Sequence, residues 1–129
     1  MSPVQFLSTN GRSPSVNLKQ AMLQGQAPDL GLYLPEAFPR LSADRINSFR
    51  EMPYFRIAWE ILSEYTDGVL SDNELMDLCR DAYAYDVPIE HVYDRVHIMR
   101  LDRGPTASFK DFAARMMARL IGRFVREEN

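Results

Sequence analysis

An α/β unit, rich in helix and carrying a few short strands, is the fold class this sequence predicts. Three observations predict it. From Leu41 onward apolar residues recur mainly at three- and four-residue spacing, the period of amphipathic helices. Short apolar runs bounded by Gly, Pro, Asn and Ser read as strands. The composition, 46% hydrophobic and 26% charged over 129 residues, is that of one globular domain with a modest core.

In chain order, Val4–Ser8 reads as a short strand, followed by turn chemistry at Asn10-Gly11 and Ser13-Pro14. The stretch SVNLKQAMLQG reads as a short helix with Leu18, Ala21 and Met22 on one face and Gly25 as its stop. Leu30–Pro35 is a second strand, ended by Pro35. Ser42 caps a helix through LSADRINSFREM, where Ile46 and Phe49 fall three apart. In YFRIAWEILSEY, residues Phe55, Ala58, Trp59 and Leu62 share a face. Ser71 and Glu74 form a capping box opening SDNELMDLCRDAYAY, whose buried stripe is Leu75, Leu78, Cys79 and Ala82. Val96–Leu101 is a candidate strand. The last helix places Phe109, Phe112, Ala113, Met116, Leu120 and Phe124 on one stripe and Arg115, Arg119, Arg123 and Arg126 on another.

Charge is unevenly spread. Residues 1–94 hold 7 basic and 14 acidic side chains, and residues 95–129 hold 8 and 4. The basic end can meet phosphate, an acidic partner or the chain's own acidic half, or stay a solvated helix face. Glycines are scattered, so neither a P-loop nor a dinucleotide fingerprint is present. His91 and His97 lack a third ligand in helical register, so no metal site is expected. An acidic chain with few aromatics among its arginines argues against nucleic acid. The apolar runs are too short to span a bilayer, which argues against a membrane partner. A single cysteine, Cys79, excludes an internal disulfide, and the N-terminus lacks the pattern of a secretory signal, so the expected location is cytoplasmic.

The segment with chemical content is GPTASFKDFAARMMARL, residues 104–120. Periodicity makes Lys110 an exposed lysine at the start of the last helix. The helix dipole disfavours a cation there, which favours the neutral amine that Schiff-base chemistry needs.

Three stretches in order carry a resemblance. FLSTNG at the start, NLKQAMLQGQAPDLGLYLPEAFPRLS next, and GPTASFKDFAARMMARL at the end resemble the N-terminal signature, the A-P-D-G-G-L-Y block and the H-G-P-T-x-A-F-K-D-F-G-A-R cofactor-lysine segment of threonine synthase. That resemblance implies a pyridoxal-phosphate enzyme of the tryptophan-synthase-like fold type. It would convert O-phosphohomoserine and water to threonine and phosphate. Lys110 would be the residue bonded to pyridoxal phosphate and the catalytic proton carrier, with Thr106 and Ser108 near cofactor or substrate. Residues 1–95 would be the family's N-terminal domain and residues 96–129 the first elements of a truncated cofactor domain.

The sequence departs from the family at Arg100, Leu101, Asp102 and Arg103, where Glu-Leu-Phe-His is common, and at Leu30 and Ala113, where Gly is common. Ser108 stands in place of a common alanine, as in a more distant branch reading P-T-G-S-F-K-D. The changes at Arg100, Asp102 and Arg103 bear on substrate preference. The family's phosphate-binding Gly-rich loop would lie downstream, so a truncated N-terminal part, inactive by itself, is the expectation. The last helix, if left uncovered, would self-associate or repack onto the N-terminal half. Two other readings stand beside this one: a stand-alone, non-enzymatic domain, and a helical interaction module using the arginine stripe.

Overall fold

The computed structural model describes residues 3–128 and mixes helix with short strands as the sequence predicts. In chain order the elements are β1 (Phe6–Ser8), α1 (Leu18–Gln24), β2 (Tyr33–Pro35), α2 (Ala43–Ser48), a 3₁₀ turn (Phe49–Glu51), α3 (Tyr54–Thr66), α4 (Asp72–Ala82), β3 (Ile89–Tyr93), β4 (Val96–Met99) and α5 (Asp111–Glu128). The strands form two separate antiparallel pairs, β1 with β2 and β3 with β4.

Local chemistry sets most of the ends. Asn17 and Gln20 make a reciprocal capping box at the start of α1, and Gly25 closes it at φ 73°. Ser42 caps α2, and Ser71 with Glu74 forms the expected capping box of α4. The helix expected through Met52 instead stops at Ser48 and tightens into the 3₁₀ turn, because Pro53 cannot continue it and opens α3. The helix expected through Tyr85 ends at Ala82. β1 and β2 are shorter than expected. Leu30 takes φ 67°, which breaks the extended run before Tyr33.

Two differences concern the C-terminal third. Ile89–Tyr93 is a strand that the sequence reading left unassigned, and it pairs with Val96–Met99 in a hairpin exposed along its whole length. Asp94 turns it at φ 47° without the glycine that usually marks such a turn. The last helix starts at Asp111, so Phe109 lies outside it and is 65% exposed instead of lying on the core stripe. Ala113 is likewise exposed.

The main core gathers Ala58 of α3, Leu75, Cys79 and Ala82 of α4, Tyr83, and Met116, Leu120 and Phe124 of α5. A smaller cluster joins Phe6, Val16 and Ala21. The apolar stripe of α5 packs on this chain's own α4 and α1, the second of the two outcomes expected for it. Cys79 is fully buried, and burial pushes its thiol up to about 12, which makes it a packing residue rather than a nucleophile. No described helix is long and apolar enough to cross a membrane.

Candidate functional site

Residues 104–111 form a tight turn leading into α5, and one buried carboxylate organises it. Asp111 is 4% exposed. Its Oδ2 accepts from the Thr106 backbone N–H at 2.9 Å, and its Oδ1 accepts from Thr106 Oγ1 at 2.9 Å. The negative group lies in the first turn of α5, where the helix dipole favours it. Gly104 packs directly beneath it: a Cβ there would stand 2.4 Å from Asp111 Oδ2. Only glycine leaves room for that approach. The Ala107 N–H donates to Gly104 O at 3.0 Å, and Ala107 takes φ 54°.

This clamp presents Lys110 at the mouth of the helix. The Lys110 carbonyl accepts from Ala113 N at 3.1 Å and Ala114 N at 2.8 Å, so its backbone opens the helical hydrogen-bond pattern. Its own N–H donates to Ser108 Oγ at 3.3 Å. The side chain is exposed, and among the described residues its ammonium makes no hydrogen bond or ion pair. Lys19, the other lysine, differs. It is paired with Glu128 at 2.5 Å and Glu127 at 3.3 Å, and the Glu128 bond above all raises its pKa.

Thus Lys110, Thr106 and Ser108 share one turn, with Thr106 committed to Asp111 and Ser108 to the Lys110 backbone. Asp111 itself escaped the sequence reading. Its signal was present: an acid in the first helical turn, directly after the lysine.

An aromatic group supports the turn from below. Tyr83 Oη donates to Phe112 O at 2.9 Å, and the Tyr54, Tyr85 and Phe112 rings meet edge-on at 5.4 and 5.5 Å. Burial raises the pKa of Tyr85, and the nearby Asp111 charge raises it further. Tyr85 Oη is buried without a partner among the described residues.

The basic face resolves into ion pairs with the chain's own acidic half. Arg115 donates to the α4 carbonyls of Ala82 at 2.7 Å and Asp81 at 2.9 Å. Arg119 pairs with Asp81 at 2.6 Å and Arg123 with Glu74 at 2.8 Å. Three of the four stripe arginines thus fasten α5 to α4. Arg100 is likewise closed, bidentate on Asp102 at 2.8 and 2.6 Å and bonded to Glu90 at 2.7 Å. The Arg100 bonds hold Asp102 at about 2. At the other end of the chain, Asp29 organises the APDLG loop. It accepts from Ser8 Oγ at 2.5 Å, Arg12 N at 2.9 Å and Gly31 N at 3.0 Å, which lowers it to about 2. A Cβ on Gly31 would lie 2.0 Å from Ser8 Oγ, so this position too requires glycine.

Comparison with known proteins places the chain in a family. The family model described as threonine synthase N terminus matches residues 5–83. A threonine synthase of Pseudomonas aeruginosa is 31% identical over 123 residues, covering 92% of this chain and 26% of the relative. One from Methylobacillus glycogenes is 35% identical over 130 residues, covering 91% and 27%. Among solved structures, a pyridoxal-phosphate-bound threonine synthase from Brucella melitensis superposes with a TM-score of 0.92 at 29% identity, over 97% of this chain and 28% of that one. The chain spans about a quarter of the length of the relatives it matches.

Proposed function

Because this chain belongs to the threonine synthase N-terminal family, we propose that it serves as the first part of an enzyme converting O-phosphohomoserine and water to threonine and phosphate, a phosphate-eliminating lyase, with Lys110 as its cofactor-bearing residue. The observation that carries this reading is the unpaired Lys110 amine, presented by a turn that a buried carboxylate holds. An exposed, unpaired amine fits covalent attachment of pyridoxal phosphate. In the lysine turn the Thr106 and Lys110 backbone N–H groups are already spent on Asp111 and Ser108.

Bound, pyridoxal phosphate supplies an electron sink. The chain's own residues supply position and protons. Lys110 Nζ takes up and returns protons at the substrate carbons. Ser108 Oγ accepts from the Lys110 N–H and keeps its own proton free to donate to a phosphate or carboxylate oxygen. Thr106 Oγ1 gives its proton to Asp111 and so meets substrate as an acceptor. Asp111 acts through both, by holding the turn.

The division of the chain near residues 95 and 96 belongs to the same proposal and is supported by the family match ending at residue 83. It is a division of ancestry rather than packing, since α5 returns to the core of the first part. A cytoplasmic location is part of the reading.

The test is incubation with pyridoxal phosphate, borohydride reduction and mass-spectrometric mapping. Selective labelling of Lys110 over Lys19 is expected. Equal labelling, or none, would overturn the claim that these residues alone poise the amine.

A further inference from the structure

The β3–β4 hairpin brings together two side chains that lie six apart in sequence. His91 and His97 are direct cross-strand partners, their ring centroids are 5.1 Å apart, and both are exposed. Each ring spends one nitrogen on a backbone carbonyl of the turn: His91 Nε2 on Asp94 O at 3.0 Å and His97 Nδ1 on Arg95 O at 3.2 Å. A carbonyl only accepts, so those nitrogens carry the protons. The tautomers leave His91 Nδ1 and His97 Nε2 as lone-pair donors.

We propose that this pair is a binding site for a divalent late first-row transition-metal ion, copper(II) first and zinc(II) second. Two observations carry it together. The first is the cross-strand approach of two imidazoles. Rings at this separation are compatible with one ion bonded at about 2 Å to the free nitrogen of each. The second is the orientation of both rings by carbonyls, the arrangement that sets tautomer and basicity in metal-ligating histidines. Imidazole suits copper and zinc, and copper(II) heads the affinity order for nitrogen sites.

No group of three or more His, Cys, Asp and Glu gathers for a metal among the described residues. The ion therefore has two protein ligands, and water fills its other positions. The site is separate from the Lys110 turn and does not depend on the reading of that turn. Helical register gives the two histidines no shared face. The pairing exists only because residues 89–99 are a hairpin.

The experiment is titration of the 129-residue chain with copper(II) and, separately, zinc(II), by calorimetry and by electron paramagnetic resonance for copper. One ion per chain, copper tighter than zinc, and nitrogen hyperfine structure from imidazole are expected. His91→Asn and His97→Asn should each weaken binding by at least the roughly 10–100-fold that loss of a mere supporting partner costs. Far-UV circular dichroism should stay unchanged, because both rings are exposed. His97→Phe, which keeps an aromatic ring opposite His91 but no donor, should behave like His97→Asn. Unchanged affinity in the variants, or a copper signal without imidazole nitrogen, would overturn the proposal.

Discussion

Asp111 is the single side chain on which the lysine turn rests. Both its oxygens accept from Thr106, so Asp111→Ala removes both bonds and leaves the Thr106 N–H without its partner. A loss of about 1–3 kcal/mol is expected, measured by urea unfolding. Leu30 and Ala107 illustrate the opposite case. Both sit at positive φ, 67° and 54°. Leu30→Gly and Ala107→Gly should relieve left-handed strain, offset by the entropy glycine adds to the unfolded chain. The net change should run from nothing to about 1 kcal/mol of stabilisation, and a clear loss of stability in the same assay would refute the strain argument.

At the scale of elements, the contact of α4 with α5 is both apolar and ionic. Phe124 is fully buried between them, and Phe124→Ala should cost about 3–5 kcal/mol in thermal or urea unfolding. The ionic side responds to pH. Glu74 is held at about 2, first by the Ser71 hydroxyl, then by the Ser71 backbone N–H and by Arg123. A carboxylate depressed on folding contributes stability that is full above its unfolded value and lost as pH falls through the folded one. The urea midpoint should therefore decline from about pH 4.5 toward about pH 2. Glu74→Gln should flatten part of that decline. Asp29 and Asp102, also at about 2, and Asp81, lowered by its Arg119 bond, add to the decline below about pH 4.

At the scale of the whole molecule, Cys79 is a reporter of unfolding. Its thiol is 0% exposed in the main core. A disulfide reagent at pH 8 should leave it unmodified in the native protein and modify it fully in denaturant, with labelling tracking global unfolding. Fast labelling in native buffer would mean that α4 and α5 separate without global unfolding. The arginine stripe also belongs to this scale. It reads as an interaction face along one helix, yet three of its members are consumed inside the chain by Asp81, Glu74 and α4 carbonyls.

How much could be read in advance follows from the range of each interaction. The caps at Ser42 and Ser71, the stop at Gly25, the buried stripe of α4 and the position of Lys110 ahead of the last helix were legible, because caps and periodic faces are set within a few residues. β3 was not, since its turn uses Asp94 at positive φ without glycine and both strands are exposed, leaving no buried face to mark the period. Three ordered stretches along the chain, the last holding Lys110, were enough to identify the family and nominate the lysine. What holds that lysine was settled by contacts that neither helical nor strand period encodes: Asp111 closing on Thr106, Gly104 beneath it, and Arg115 reaching across to α4. Local propensity acts over three or four residues, whereas burial and charge pairing act between residues that only the folded chain brings together.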